Sequence, residues 1–331
     1  MNIKTINTKN TGKFLLNNAI IVLLVIMVFY VSITRGNFLS WGNFINVASN
    51  VAVRVIIAFG ISGCLITKGT DLSAGRITGF AACIAATLLQ KADYSGKVLA
   101  DVGDVNILVA LLLTVGICCI FGLVNGIVIA KLKVPPFIAT LGMQTIVYGI
   151  CLVYTGASPI GGLRSDFTNV ATNRFLGIPI LAYIALVIGL LMWFLYTRTR
   201  QGKFMYAIGG NEVAAEVSGI NVSRTKIIIY TLAAACYGLA GFLLAAKSGG
   251  ASVNYGMGYE LEAIAAATIG GVSTNGGVGR ISGCLLGVLV FELLKSSMQF
   301  MGIDTSYQYI VQGVVIIVAV ALDIRKYIAK K

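Results

Sequence analysis

The sequence predicts an all-α, polytopic membrane protein, and three observations carry that prediction. Hydrophobic residues make up 57% of the 331 and charged residues only 11%. Apolar runs of about 17 to 25 residues, the length that crosses a bilayer as a helix, recur along the whole chain. Glycine, at 39 residues, is high for a soluble helical protein but ordinary where membrane helices pack through small side chains. The net charge of +13 does not point to nucleic acid, because most basic residues stand at the ends of the apolar runs, as topology signals do.

Ten candidate spans follow, at residues 15–34, 44–66, 74–90, 106–130, 135–155, 178–197, 226–246, 259–272, 281–299 and 307–323. The first follows a basic leader of Lys4, Lys9 and Lys13 and lacks a small-residue cleavage site, so it reads as a retained helix and not a removed signal. With the N-terminus in the cytoplasm, 17 of the 25 basic residues, Lys68 and Arg76 among them, fall inside, 6 outside and 2, Arg54 and Lys295, within spans. The positive-inside rule therefore favours cytoplasmic N- and C-termini, with six spans before a long cytoplasmic loop and four after it.

Pro135 and Pro136 open the fifth span and Pro179 the sixth, where a missing N–H costs little. The outside loop 156–177, with Arg164, Asp166 and Arg174, reads either as a landing place for a soluble partner or as a plain surface loop. The eighth span is short for a crossing. It is either a half-helix or extends back through the glycines at 249–258. Two cytoplasmic turns, TKGTDLSAGRITG at 67–79 and GGVSTNGGVGRISG at 270–283, end in GRI[TS]G and feed apolar spans. An internal repeat in matching topology, or chance in a Gly-rich chain, accounts for them.

The longest polar interruption is RTRQGKFMYAIGGNEVAAEVSGINVSRTK at 198–226, with Arg198, Arg200, Lys203, Arg224 and Lys226 at its two ends. Between them Asn211 is a good N-cap and Glu212 suits a positive helix start. Ala214, Ala215 and Glu216 propagate one short helix, and Gly219 suits its left-handed end. A helix of two turns is not stable alone in water. It needs a surface to lie on, and the surface expected is another protein's.

Several chemistries are missing. No stretch matches GxxxxGK[ST], so no phosphate-cradling loop and no cofactor is expected. The chain has no His, no carboxylate cluster for a metal, and seven Cys (64, 83, 118, 119, 151, 236, 284) that all lie in apolar stretches and read as small buried hydrophobes. Ionisable residues in or at the ends of spans are Arg54, Asp71, Glu260, Glu262, Glu292, Lys295 and Asp323, each a functional candidate because an unpaired charge in hydrocarbon is costly. Glu292 and Lys295 are spaced to satisfy each other on one helix face. Asp71 with Ser73 suits a cap of the third span, Glu260 and Glu262 a helix start facing outside, and Asp323 the interface. Arg54 reads as lining a path or snorkelling to headgroups.

Four segments, KGTDLSAGR, KFMYAIGGNEVAAEVSGINV, GYELEAIAAATIGGVSTNGGVGR and YQYIVQGVVIIVAVALD, resemble the membrane permease subunits of bacterial monosaccharide ABC importers. Within the ribose, xylose and galactose group, the likeness is greatest to the galactose and methyl-galactoside branch. The resemblance covers nearly the whole chain and implies one transmembrane permease domain over 1–331 in the bacterial cytoplasmic membrane, not itself an enzyme. Its implied partners are a second permease copy, a cytoplasmic ATP-binding subunit and an extracytoplasmic sugar-binding protein. The resemblance makes 198–226 a coupling loop, whose helix docks on the ATPase through Gly209, Gly210, Asn211, Glu212, Ala215, Glu216, Ser218, Gly219 and Ile220. A monosaccharide would then cross by alternating access.

The DLSAG and VSTNGG turns, through Asp71, Ser73, Gly75, Ser273, Thr274, Asn275 and Gly276, are candidates for the path or its inner gate, with tight cytoplasmic turns the plain alternative. Two readings from other classes stand beside this one. An ion-coupled secondary transporter would place a titrating Glu292 or Asp71 at the midplane, and a scaffold or passive channel would use the long loop only to recruit proteins.

Overall fold

The structure, a computed structural model, describes residues 19–99 and 103–328. The basic leader, residues 15–18 of the first span, and Lys330 and Lys331 lie outside the described residues. Each of the ten expected spans contains a helix: α1 Ala19–Thr34, α2 Trp41–Ile66, α3 Ala74–Leu88, α4 Ile107–Ala130, α5 Pro136–Thr155, α7 Ile180–Arg198, α10 Val222–Ser248, α11 Tyr259–Ile269, α12 Ile281–Phe300 and α13 Thr305–Ile328. Outside the spans lie α6 Ser165–Thr172, α8 Arg200–Gly210, α9 Glu212–Val217 and a hairpin of β1 Arg174–Phe175 with β2 Ile178–Pro179. Among the described residues, seven of these helices are long and apolar enough to cross a membrane. Pro136 begins α5 and Pro179 sits at the N-cap of α7, as the spacing predicts.

Two long helices form the centre. α2 and α10 are buried along most of their length, whereas α4, α5, α7 and α13 are buried over only a small part of theirs and carry many exposed apolar side chains, the surface that suits lipid. Glycine sets the contact between α4 and α10: a Cβ on Gly126 would strike the backbone of Ile227, and one on Gly122 the side chain of Ala234. Small residues therefore let two backbones meet, the packing that replaces hydrophobic driving force inside a bilayer. All seven cysteines are free, and six are buried.

The two shortest spans are both half-helices, and each is completed by an extended segment. α2 and α10 run antiparallel, with Gly60 against Ala233 and Gly63 against Ile229. From the end of α2 the chain turns back along α10, so that Tyr230 donates to the Thr70 carbonyl (3.3 Å) and Asp71 lies beside Tyr237, half way up that helix. Only there does α3 start, with Gly241 of α10 against Thr78 and Ala81. The segment 249–258 does the reverse. It leaves the far end of α10, pairs Ala251 with Ile160, and brings the Tyr255 carbonyl to Gly79 before α11 begins. α3 and α11 thus begin side by side at mid-depth and run apart, and the expected eighth span does extend back through the glycines.

This geometry revises three expectations. The stretch equivalent to 67–79 in setting is 249–263, not 270–283, since the second GRI sequence lies at the surface end where α12 begins. Arg76, third residue of α3, is at mid-depth and not at the cytoplasmic face, where it stacks on the Tyr148 ring at 4.2 Å and donates to the Val253 carbonyl at 3.0 Å. Glu260 and Glu262, in the first turn of α11, are likewise at mid-depth and not facing outside, because the extended segment carries the helix start inward. The outside loop contains α6, whose Phe167 is buried edge-on to Phe242 of α10 with ring centroids 4.9 Å apart.

Candidate functional site

The candidate residues fall in three places, and the two Gly-rich turns are not brought together. Asp71, Ser73 and Gly75 lie at the mid-depth junction. Asp71 Oδ1 accepts from the Ser73 amide at 3.0 Å and the Ser73 hydroxyl at 2.5 Å, while Asn125 of α4 donates to Ser73 Oγ at 3.0 Å. Ser73 stands at the N-cap of α3 but makes no side-chain cap, because its hydroxyl is turned back to Asp71. The backbone of Leu72 donates to Thr140 Oγ1 of α5 at 3.1 Å. Asp71 Oδ2 is buried with no hydrogen-bond partner among the described residues, and so is Glu260 Oε2. Gly75 is what allows the junction, since a Cβ there would strike the Glu260 carboxylate and the Gly256 carbonyl. A carboxylate set between two helix N-termini is favoured by both dipoles.

Next to the junction is a buried charge network. Arg54 of α2 reaches Glu262 of α11 at 2.5 Å and Glu292 of α12 at 3.2 Å, and lies 5.1 Å from the Tyr259 ring centroid. Lys295 binds Glu262 at 2.9 Å. Glu292 and Lys295 are therefore not each other's partners, contrary to their spacing. Each finds an opposite charge on another helix, and one guanidinium serves two carboxylates that would otherwise be costly to desolvate. The network explains Arg54 without snorkelling. Asn46 and Asn50 continue its polar stripe along α2 into a cleft of about 400 Å³ shared with Ser296 and Gln299.

Ser273, Thr274, Asn275 and Gly276 form the second place, a tight turn between α11 and α12. Asp323 of α13 accepts from the Thr274 amide (3.1 Å) and from the hydroxyls of Thr274 (3.0 Å) and Ser273 (3.2 Å). Asp323 thus organises this turn and does not simply mark an interface. Gly276 and Gly277 take φ of +84° and +72°, the left-handed region open to glycine. The Gly277 amide donates to the Ile66 carbonyl at 2.9 Å, and Gly276 lies against Lys68 and Gly209. The turn is wedged between the end of α2 and the end of α8.

The third place is the α8–α9 hairpin, where the polar stretch holds two helices and not one. Gly209 and Gly210 end α8 and are not part of the short helix; Gly209 is pressed against the backbone of Ile66 and Gly277. Asn211 caps α9 by accepting from the Ala214 amide at 3.0 Å, Glu212 pairs with Lys226 at 2.8 Å, and Gly219 has φ +82° while the Ile220 amide returns to the Ala215 carbonyl at 3.1 Å. Ala215 is buried with Ile208 and Val222, which pins one face. Val213 and Val217, one turn apart on the other face, are 71% and 85% exposed. Sequence reasoning passed over this pair, although an apolar i, i+4 pair on a capped polar helix is its signal. It also passed over Asn125 and Thr140, lone polar residues in apolar spans, and Arg76 with Tyr148.

On the far side, Arg164 pairs with Asp166 and lies 3.7 Å from Asp104. The hydrogen bond from Arg164 holds the Asp166 carboxyl below its ordinary range.

Comparison with known proteins agrees with this architecture. Residues 43–320 match a family described as branched-chain amino acid transport system / permease component. The chain is 43% identical to the galactose/methyl galactoside import permease protein MglC of Escherichia coli strain K12, over 98% of this chain and 99% of that protein. It is 44% identical to the protein of the same description from Haemophilus influenzae, over 95% and 96%. To the ribose import permease protein RbsC of Bacillus subtilis strain 168 it is 39% identical, over 92% and 91%. No solved structure matches. With a family match over most of its length and relatives aligned nearly end to end, the chain belongs to this family of multi-pass membrane permease components of import systems.

Proposed function

We propose that this chain is the membrane-spanning subunit of an ABC importer that carries a monosaccharide, galactose or a methyl galactoside, into the cytoplasm. The family description mentions branched-chain amino acids, but the relatives aligned nearly end to end at 43% and 44% identity are sugar permeases, and the sugar reading follows them. Ribose is the second choice, on the 39% likeness. The chain acts as one permease domain, with a second copy, a cytoplasmic ATPase and a sugar-binding protein outside.

The observation that carries the mechanism is the chain of contacts from α9 inward. Val213 and Val217 stand free on a helix fixed to α8, and the end of α8 bears on both the 273–277 turn and the end of α2. Docking of the exposed valines on the ATPase would convert its closure into a push on these two points. From Ile66 the push passes along 67–73 to the start of α3, and from the turn along α11 to Glu260. Both half-helices would move at the junction around Gly75, where the path opens alternately to either side. Asp71, Ser73 and Gly75 then belong to the path, whereas Ser273 to Gly276 belong to the transmission. Glu292, engaged by Arg54, is poorly placed as a free proton carrier for a secondary transporter.

Uptake of labelled galactose into proteoliposomes tests this, with the ATPase, ATP and sugar-binding protein each omitted in turn. Uptake that needs every component and weakens with Glu216→Arg supports the assignment. Uptake by the chain alone, driven by an ion gradient and indifferent to ATP, overturns it.

A further inference from the structure

Away from the junction, α2, α7 and α12 enclose a lateral groove of about 670 Å³, walled by Val51 and Phe59, by Leu186 and Trp193, and by Leu285. It extends along α2 from Phe44 to Phe59, about 22 Å at the rise of a helix, which exceeds the depth of one leaflet in a hydrocarbon core of about 30 Å. The end that carries α8 holds polar groups. There Ser282 lines the groove, and Arg280, exposed, stands at the N-cap of α12 without capping it. Arg198, also exposed, has its guanidinium 5.9 Å from the Trp193 ring centroid. Tyr206 donates to the Gly279 carbonyl at 2.8 Å, which ties α8 to the residue before Arg280. Neither arginine forms an ion pair among the described residues.

We propose that this groove is a binding site for an anionic phospholipid, with one acyl chain between α2, α7 and α12 and the phosphate held by Arg198, Arg280 and the uncapped first turn of α12. The chemistry fits on both counts. A dry slot in a bilayer offers an acyl chain the same surroundings as lipid but with fixed walls. Two unpaired guanidinium groups and the free amides of a helix start form a phosphate site at headgroup depth. A zwitterionic headgroup would satisfy the phosphate contacts but bring its own cation toward the two arginines, so the site selects for net negative charge.

The chain has only two tryptophans, Trp41 and Trp193, and this makes the groove observable. The full chain with Trp41→Phe is placed in phosphatidylcholine nanodiscs that contain, at equal mole fraction, either brominated phosphatidylglycerol or brominated phosphatidylcholine. The brominated anionic lipid is expected to quench Trp193 several-fold more strongly, and Arg198→Gln with Arg280→Gln to abolish the difference. Equal quenching by both lipids would mean an ordinary lipid shell, and no quenching by either would mean that a second permease copy covers the face; each overturns the proposal. Native mass spectrometry of the unsubstituted chain and the double-arginine variant provides a check that does not depend on Trp41→Phe. Preferential retention of phosphatidylglycerol by the first and not the second is expected, and no preference in the first also overturns the site.

Discussion

The α3–α11 junction and the α8–α9 hairpin are built on opposite plans. At the junction the packing leaves no room: Gly75, Gly79 and Gly256 bring backbones into direct contact, and the Arg54 network beside them pairs charges across helices, while Asp71 Oδ2 and Glu260 Oε2 stay without a hydrogen-bond partner among the described residues. In the hairpin one face of α9 is pinned by Ala215 and the other is left open with two valines. The first region is held together by backbone contacts within one chain, and the second is not. A part that must move against its neighbours inside a membrane is held by shape, whereas a part that must engage a separate protein keeps its apolar contact unfilled.

Substitution at Gly75 tests the first plan most severely. Gly75→Ala puts a methyl group into the Gly256 carbonyl, which is backbone and cannot step aside, so overpacking should cost about 1–3 kcal/mol and displace α11. Loss of most uptake is expected, with a lowered melting temperature of the purified permease. Gly210→Ala, with nothing near its Cβ, is the control for folding and should leave the melting temperature unchanged. Equal effects of the two would remove close packing as the distinction between the regions.

The charge network comes next. Arg54→Met leaves Glu262 and Glu292 facing each other with Lys295 as the remaining close partner, and uncompensated buried charge costs about 3–5 kcal/mol. Thermal unfolding should show the loss, and adding Glu292→Gln should recover part of it. Failure of that second change to recover stability would mean that Arg54 acts through packing on Tyr259 and not through charge.

For the open face the expected effect is on coupling, not on folding. Val217→Asp alters a side chain that is 85% exposed, so stability should stay within about 0.5 kcal/mol. Loss of a central interface contact of about 2 kcal/mol would weaken ATPase binding roughly thirtyfold. Titration of the ATPase onto the reconstituted permease measures it, and unchanged affinity would remove the valines from the interface.

The same contrast governs what the sequence could reveal. α9 was readable because its determinants are local: Asn211 and Gly219 mark its ends through backbone chemistry confined to a few residues. α8 is hard to read in sequence because Gly202, Gly209 and Gly210 argue against a helix although Thr199 caps it locally, and the neighbours that need Gly209, Ile66 and Gly277, lie far away in the chain. The ten spans were legible from length and apolarity. Their depth was not, because the sequence alone puts Arg76, Glu260 and Glu262 at surfaces. Extended segments such as 67–73 and 249–258 look like surface turns in sequence, and only the helices beside them show that they are buried. Glu292 and Lys295 were paired by local spacing when the partners that matter, Arg54 and Glu262, lie on other helices.

The smallest effect is expected at the seam where the hairpin joins the membrane body. Glu212 and Lys226 link α9 to α10 at 2.8 Å, with the Glu212 side chain 35% exposed. A pair so placed is screened by water and salt, and Glu212→Gln should cost about 0.2–1 kcal/mol, less as ionic strength rises. Asn211→Ala, which removes the cap of the same helix, should cost about 1 kcal/mol and show no salt dependence. Thermal melts of both variants at low and high salt separate the two contributions. A Glu212→Gln loss that persists at high salt would mean that α9 is anchored by more than an exposed ion pair, and the hairpin would then be nearer to the junction in its construction than its open face implies.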